Sequence, residues 1–199
     1  MRLLSQNTFP FALAVIITLS CAPTTIANAG ETYELDPSHT HVVFSVQRFG
    51  FNDVIAFFPA VAGNISLDHD APENSAVEVE IGVASIVSGD ATRNEHLVGE
   101  FWFNVGEHPT ITFKSTSVER TGEDTAEVTG DLTVLGVSKS VSLNVKLNKL
   151  GADPASKREA AGFSATATLN RHDFGMSIAE NLIGGDVSIR IETLAHKAE

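Results

Sequence analysis

From residue 40 onward, apolar and polar side chains trade places at every second position. "VEVEIGVAS" sets Val77, Val79, Ile81 and Val83 on one face and Glu78 and Glu80 on the other. "VSLNVKLN" sets Val141, Leu143, Val145 and Leu147 opposite Ser142, Asn144 and Lys146. "FSATATLN" and "VSIRIE" repeat the pattern with Phe163, Ala165, Ala167 and Leu169, then Val187, Ile189 and Ile191. A period of two is that of a strand, whose successive side chains point to opposite faces. One apolar face and one polar face mark antiparallel strands with a single wet side. "HVVFSVQ", "PAVAGNISL", "TITFKSTSV" and "AEVTGDLTV" fit the same reading. Turn signals punctuate them at Asp36-Pro37-Ser38, Asp70-Ala71-Pro72, Thr121-Gly122-Glu123 and Gly151 to Pro154, and Leu135-Gly136 is short enough for a hairpin. About eight strands without a βαβ rhythm predict an all-β barrel or sandwich. The alternation breaks at Phe49 to Phe58 and at Ala91 to Val105, the second of which suits a short helix and its exit.

The first 29 residues stand apart from this pattern. Arg2, the apolar run Phe9 to Leu19 and the small residues of Ala27-Asn28-Ala29 read as a cleaved secretory signal. The run is shorter than the about 20 residues a bilayer requires. The alternative is lipid attachment at Cys21, in "ITLSC". Removing 29 of the 199 residues leaves one domain, 30–199, without cysteine, so neither disulfides nor thiol chemistry enters. That domain carries 12 basic against 25 acidic residues. Such a balance argues against a nucleic-acid partner and against adhesion to anionic head groups. With the signal cleaved, the expected location is the periplasm.

The residues offer few chemical constellations. His39-Thr40-His41 can present two imidazoles on one side of a strand, but a zinc site needs at least a third ligand. Arg171-His172-Asp173 contains the residue types of a charge relay, yet sequence neighbours on a strand point to opposite faces. No serine sits in a nucleophile elbow, and there is no glycine-rich phosphate loop. The stretch Arg93-Asn94-Glu95-His96 runs into Phe101, Trp102 and Phe103, where Trp102 is the only tryptophan of the chain. An eight-stranded barrel either fills its interior with side chains or holds one small ligand. Small inward positions such as Ala165 and Ala167 are compatible with both.

The order of motifs resembles the YceI-like family, lipocalin-like proteins associated with binding of polyisoprenoids or other long-chain lipids. The resemblance runs through "YELDPSHTHVVFSVQRFG", "VAGNISLD", "VEVEIGVASIVSG" and "RNEHLVGEFWFNVGEHPTITFKSTSV". It continues through "VTGDLTVLGVSKSVSLNV", "GFSATATLNRHDFGM" and "GGDVSIRIE". It implies an extended eight-stranded antiparallel lipocalin-like β-barrel, with a short helix crossing one end and an apolar tunnel inside. Several positions depart from the family pattern: Arg48 replaces a usual histidine, Asn94 an aspartate, Phe101 and Asn104 acids, and Val98 a basic residue.

With the resemblance, the expected ligand is one long-chain isoprenoid or acyl amphiphile, held without catalysis, without cofactor and without metal. The expected wall is Phe44, Val46, Val79, Ile81, Phe113, Leu132 and Val134; the expected gate is Trp102 and Phe103 with Phe49 and Phe51. His39 and Arg48 are candidates for the head group, Arg48 having an exposed edge position as its alternative. Arg93 and His96 are expected to fix the helix by hydrogen bonds. Exchange with a membrane and a homodimer are both compatible with this reading. The competing functions are a redox or metal accessory to a membrane quinone or other electron carrier, and a structural stress protein with a filled barrel.

Overall fold

The computed structural model describes residues 30–199. The expectations for residues 1–29, cleavage after Ala29 or lipidation of Cys21, lie outside the described residues. Ten strands follow in chain order: β1 (Glu31–Leu35), β2 (His41–Arg48), β3 (Asn52–Phe58), β4 (Val61–Leu67), β5 (Ala76–Gly82), β6 (Thr110–Arg120), β7 (Thr125–Val134), β8 (Val137–Ala152), β9 (Glu159–Asn170) and β10 (Ile183–Lys197). The helix α1 (Ala91–Val98) lies between β5 and β6. All strand pairings are antiparallel.

The sheet closes. The ring runs β1-β4-β5-β6-β7-β8-β9-β10 and returns through Tyr33↔Lys197 and Leu35↔Ala195. This is the eight-stranded antiparallel barrel with a short helix that the motifs implied. Beyond its contact with β1, β10 pairs with β2 from Glu192↔His41 to Ile183↔Arg48. β1 and β2 therefore act as one stave bent at Asp36–Thr40. At the bend the Asp36 carboxylate accepts from the Ser38 N–H at 2.9 Å, and buried Thr40 shares a hydroxyl hydrogen bond with Thr193 at 2.8 Å. β3 and β4 form a second broken stave around Pro59-Ala60. The outer edge of β3 is joined by a single bridge, Phe57↔Val87.

Two strands escaped the alternation. β1 is only five residues long, with Tyr33 as its one buried residue. β3 is apolar on both faces: Ala56 and Phe58 are buried, whereas Ile55 projects outward. The helix stops at Val98, short of Val105, because Gly99 turns the chain and Leu97 and Val98 accept the N–H groups of Phe103 and Val105. Asp90 caps its start, accepting from the Arg93 N–H at 2.7 Å.

Two local devices set the barrel's shape. Leu135 and Gly136 both have positive φ, which makes the β7–β8 link the two-residue hairpin whose twist matches its strands. Gly130 lies beneath the Phe113 ring; a Cβ there would stand 2.5 Å from both Phe113 Cζ and the Lys114 carbonyl oxygen. Glycine is what lets that ring cross the neighbouring strand.

Candidate functional site

Along β8 the inward side chains Val141, Leu143, Val145 and Leu147 are only half-buried. They turn away from solvent yet lack atoms to pack against, because they face a hollow. The lumen has a volume of about 580 Å³, within the range of small-molecule sites. Every strand of the ring contributes to its wall. At roughly 30 Å³ for a water-sized group, it has room for about 19 such groups.

The two ends of the lumen differ. At the end crossed by α1, Phe44, Phe58 and Phe103 form an aromatic stopper. Phe44 and Phe58 stack with centroids 5.6 Å apart, and Phe103 meets Phe58 edge-on at 5.6 Å. Val61, Val83, Ile86, Ile111 and Phe174 complete this packed end. At the far end the lumen reaches the surface between the β4–β5 loop and the β6–β7 turn, past His69, Asp70, Arg120, Glu123 and Asp124. Beside that mouth, Tyr33 is buried against Ala161 and Ala195 and closes the β1–β9–β10 side.

Nine of the expected lipid-contacting residues lie on the lumen wall. Phe44 and Val46 come from β2, Val79 and Ile81 from β5, Phe113 from β6, and Leu132 and Val134 from β7; Trp102 and Phe103 come from the run after α1. Phe49 and Phe51 do not join them. They occupy the β2–β3 turn, where positive φ at Phe49 and Gly50 reverses the chain outside the barrel, and Phe51 is 87% exposed. Neither head-group candidate reaches the lumen. His39 stands on the outer bend with Nδ1 2.8 Å from Asp36 Oδ2, and Arg48 lies over the Phe49 ring at 4.0 Å. Asp36 is driven down to about 2 by its hydrogen bonds to the Ser38 hydroxyl and His39. The residue of the bend that does face the lumen is Thr40.

In the stretch 93–113, Arg93 Nε donates to Ser88 Oγ at 3.2 Å, and Asn94 Oδ1 accepts from the Ser88 N–H at 2.8 Å and its hydroxyl at 2.6 Å. Asn94, rather than exposed His96, is Arg93's partner in fixing the helix. The stretch belongs to the stoppered end, and the open mouth lies opposite it.

Arg171 was read in sequence only as part of a relay fragment, and its place is different. It is 5% exposed and lines the lumen below Trp102, whose ring lies 5.9 Å from its guanidinium. Its N–H groups donate to the carbonyls of Met176 (2.7 Å), Ile178 (2.9 Å), Ile183 (3.1 Å) and Gly184 (2.9 Å). Burial pulls its pKa down. The walls of β8, β9 and β10, with Phe58 and Met176, also went unassigned. Their signal was available, since the apolar face of any strand in a barrel points at the same interior. Among the described residues no three His, Cys, Asp or Glu side chains gather at a spacing suited to a metal ion.

A family model of the YceI-like domain matches residues 33–195. A UPF0312 protein of Pseudomonas putida is 38% identical over 159 residues, which are 77% of this chain and 82% of the relative. Burkholderia cenocepacia BcnA superposes with a TM-score of 0.73 at 21% identity, covering 80% of this chain and 98% of that one. A polyisoprenoid binding domain from Saccharophagus degradans, implicated in plant cell wall breakdown, superposes with a TM-score of 0.67 at 15% identity, covering 83% and 98%. At such identities these two structures speak for the shared fold.

Proposed function

Because the chain belongs to the YceI-like family, we propose that its lumen takes up one long-chain isoprenoid or acyl amphiphile, which the protein sequesters or carries without a chemical step. The observation that carries this reading is the unfilled lumen of about 580 Å³, walled by half-buried aliphatic and aromatic side chains from the whole ring. The polyisoprenoid binding named for the Saccharophagus degradans domain supports the ligand class. The N-terminal segment supports placing the protein in the periplasm or outside the cell.

The energetics suit a carrier. Burying a methylene is worth about 0.8 kcal/mol relative to water, so a chain filling the lumen gains enough to stay out of water. A bilayer offers the same gain, and transfer between membrane and lumen is close to balanced. Shape and the few polar groups, Thr40 and Arg171 among them, then decide which amphiphile is kept.

The test is organic extraction and mass spectrometry of protein purified without detergent, beside the double variant Phe44→Asp/Ile81→Asp, which puts two charges on the wall. The expected result is one recurrent long-chain species at near one per chain, absent from the variant. Clean extracts at full protein recovery would overturn the reading. If the double variant does not fold, Ala165→Phe serves in its place.

A further inference from the structure

Five large apolar side chains stand out into water at the stoppered end. Phe51 is 87% exposed, Phe101 74%, Leu182 55%, Phe49 43% and Ile178 41%. They come from three segments: the β2–β3 turn, the run after α1 and the loop before β10. These are tied together beneath the tips. The Phe49 N–H donates to the Leu182 carbonyl at 2.8 Å. Arg171 holds the carbonyls of Ile178 and Ile183 on the same loop and lies under Trp102, the neighbour of Phe101. The remaining exposed large apolar residues among those described, Ile55 on β3 and Val87 bridged to Phe57, flank this end too. The open mouth is the reverse. It carries Asp68, Asp70, Glu73, Glu123 and Asp124 against Arg120, and none of the exposed large apolar side chains.

The size and form of the patch select its occupant. At about 200 Å² per aromatic side chain, the three phenylalanines expose roughly 400 Å². The two aliphatic tips leave the total below the about 800 Å² per partner that a stable protein complex buries. The side chains project from turns instead of paving a flat face. Projecting aromatic and aliphatic tips that need no matching surface are suited to the interfacial layer of a bilayer. Around them Arg48 is outnumbered by Asp53, Glu100 and Glu180, so a bilayer of little net charge fits and an anionic one is repelled.

We propose that the stoppered end, not the open acidic mouth, docks on a zwitterionic lipid bilayer with Phe51, Phe101 and Leu182 inserted, and that lipid passes between bilayer and lumen beneath Trp102 and Phe103. This rests on the lumen being a lipid site and adds the face at which the lipid is exchanged. The residues that sequence reasoning placed in the gate, Phe49 and Phe51, act here from outside the lumen.

The experiment compares wild-type protein with Phe51→Ser/Phe101→Ser, neither residue touching the lumen. Flotation uses phosphatidylcholine vesicles, and uptake uses a fluorescent long-chain alcohol delivered either from those vesicles or from aqueous solution. The expected result is wild-type flotation with a blue shift of Trp102 emission, and a loss of roughly tenfold or more in vesicle binding and vesicle uptake for the variant. Uptake from solution stays equal in both. The docking face is overturned, with the lumen reading intact, if wild type loads from solution but ignores the vesicles, or if the variant floats and loads like wild type. It is also overturned if sedimentation shows a dimer that the variant dissolves, since the patch then joins two copies. Failure of wild type to load from either source overturns the lumen reading and the proposal with it. Should the double variant not fold, Phe51→Ser alone carries the comparison.

Discussion

Replacing Ala165 with phenylalanine separates a hollow barrel from a filled one. Ala165 sits mid-strand on β9, opposite Val145 of β8 and Ile191 of β10, and its methyl group faces the lumen. The phenyl ring adds six carbons, which at up to ~30 Å³ each claim as much as ~180 Å³ of the about 580 Å³ available. A ligand that fills the lumen must then leave about six methylenes in water, at about 0.8 kcal/mol each. The loss of roughly 5 kcal/mol weakens binding by about three orders of magnitude. Folding should be spared, because the ring enters space instead of displacing neighbours. Two measurements on one preparation suffice: bound lipid per chain after extraction, and the melting temperature of the lipid-free protein. Expected are a lost lipid load and an unchanged melting point. If the interior around Ala165 were packed, overpacking would cost about 1–3 kcal/mol and lower the melting point by several degrees. A lower melting point with an unchanged lipid load would refute the hollow lumen.

Phe58→Ala removes the central ring of the stopper, 3% exposed, and should cost about 3–5 kcal/mol in urea unfolding, whereas Phe51→Ala should stay within about 0.5 kcal/mol of wild type. Trp102→Ala should lower lipid occupancy more than it lowers stability; equal losses would make Trp102 a core residue. Burial, with the carboxylates of Glu159 and Glu31 beside its hydroxyl, pushes Tyr33 up to about 12. Its folded value exceeds its unfolded one near 10, so the stability it contributes is whole below pH ~10 and is lost between ~10 and ~12. Tyr33 is the only tyrosine, so tyrosinate absorbance reads it directly; a midpoint near 10 in the folded protein would contradict its burial.

The strands that could be read from the sequence were those with one wet face. Over most of their length β5, β8, β9 and β10 alternate apolar residues with charged, hydroxyl or amide ones, and water fixes which side is out. β3 is apolar on both sides, with Ala56 and Phe58 buried and Ile55 turned out into water, so alternation has nothing to report there. The same limit affected the site. Phe44 and Val46 continue an alternating run, so their inward direction was legible. Phe49 and Phe51 follow the last paired residue of β2, where one positive-φ turn decides between lumen and solvent, and hydrophobicity cannot see that turn. Arg171 was illegible for another reason: its partners are backbone carbonyls, which any sequence supplies.

The closure of the ring has a consequence in time. Its last seam joins Tyr33 to Lys197, 164 positions apart, across a register of three residue pairs. A ribosome adding about 5–20 residues per second takes roughly 8–30 s to span that interval. Through it β1 has a partner in β4 but an open edge where β10 will lie. The strand that welds β1, β2 and β9 together is also the one nearest the carboxyl end. Until β10 pairs, β1 keeps one open ladder edge and the other staves lack the strand that closes the ring. Loss of only the residues after Leu194 would unseal Tyr33 and free the edge of β1 while the β10–β2 ladder from Ile183 to Glu192 stays paired, and a free edge is prone to pairing with its own kind.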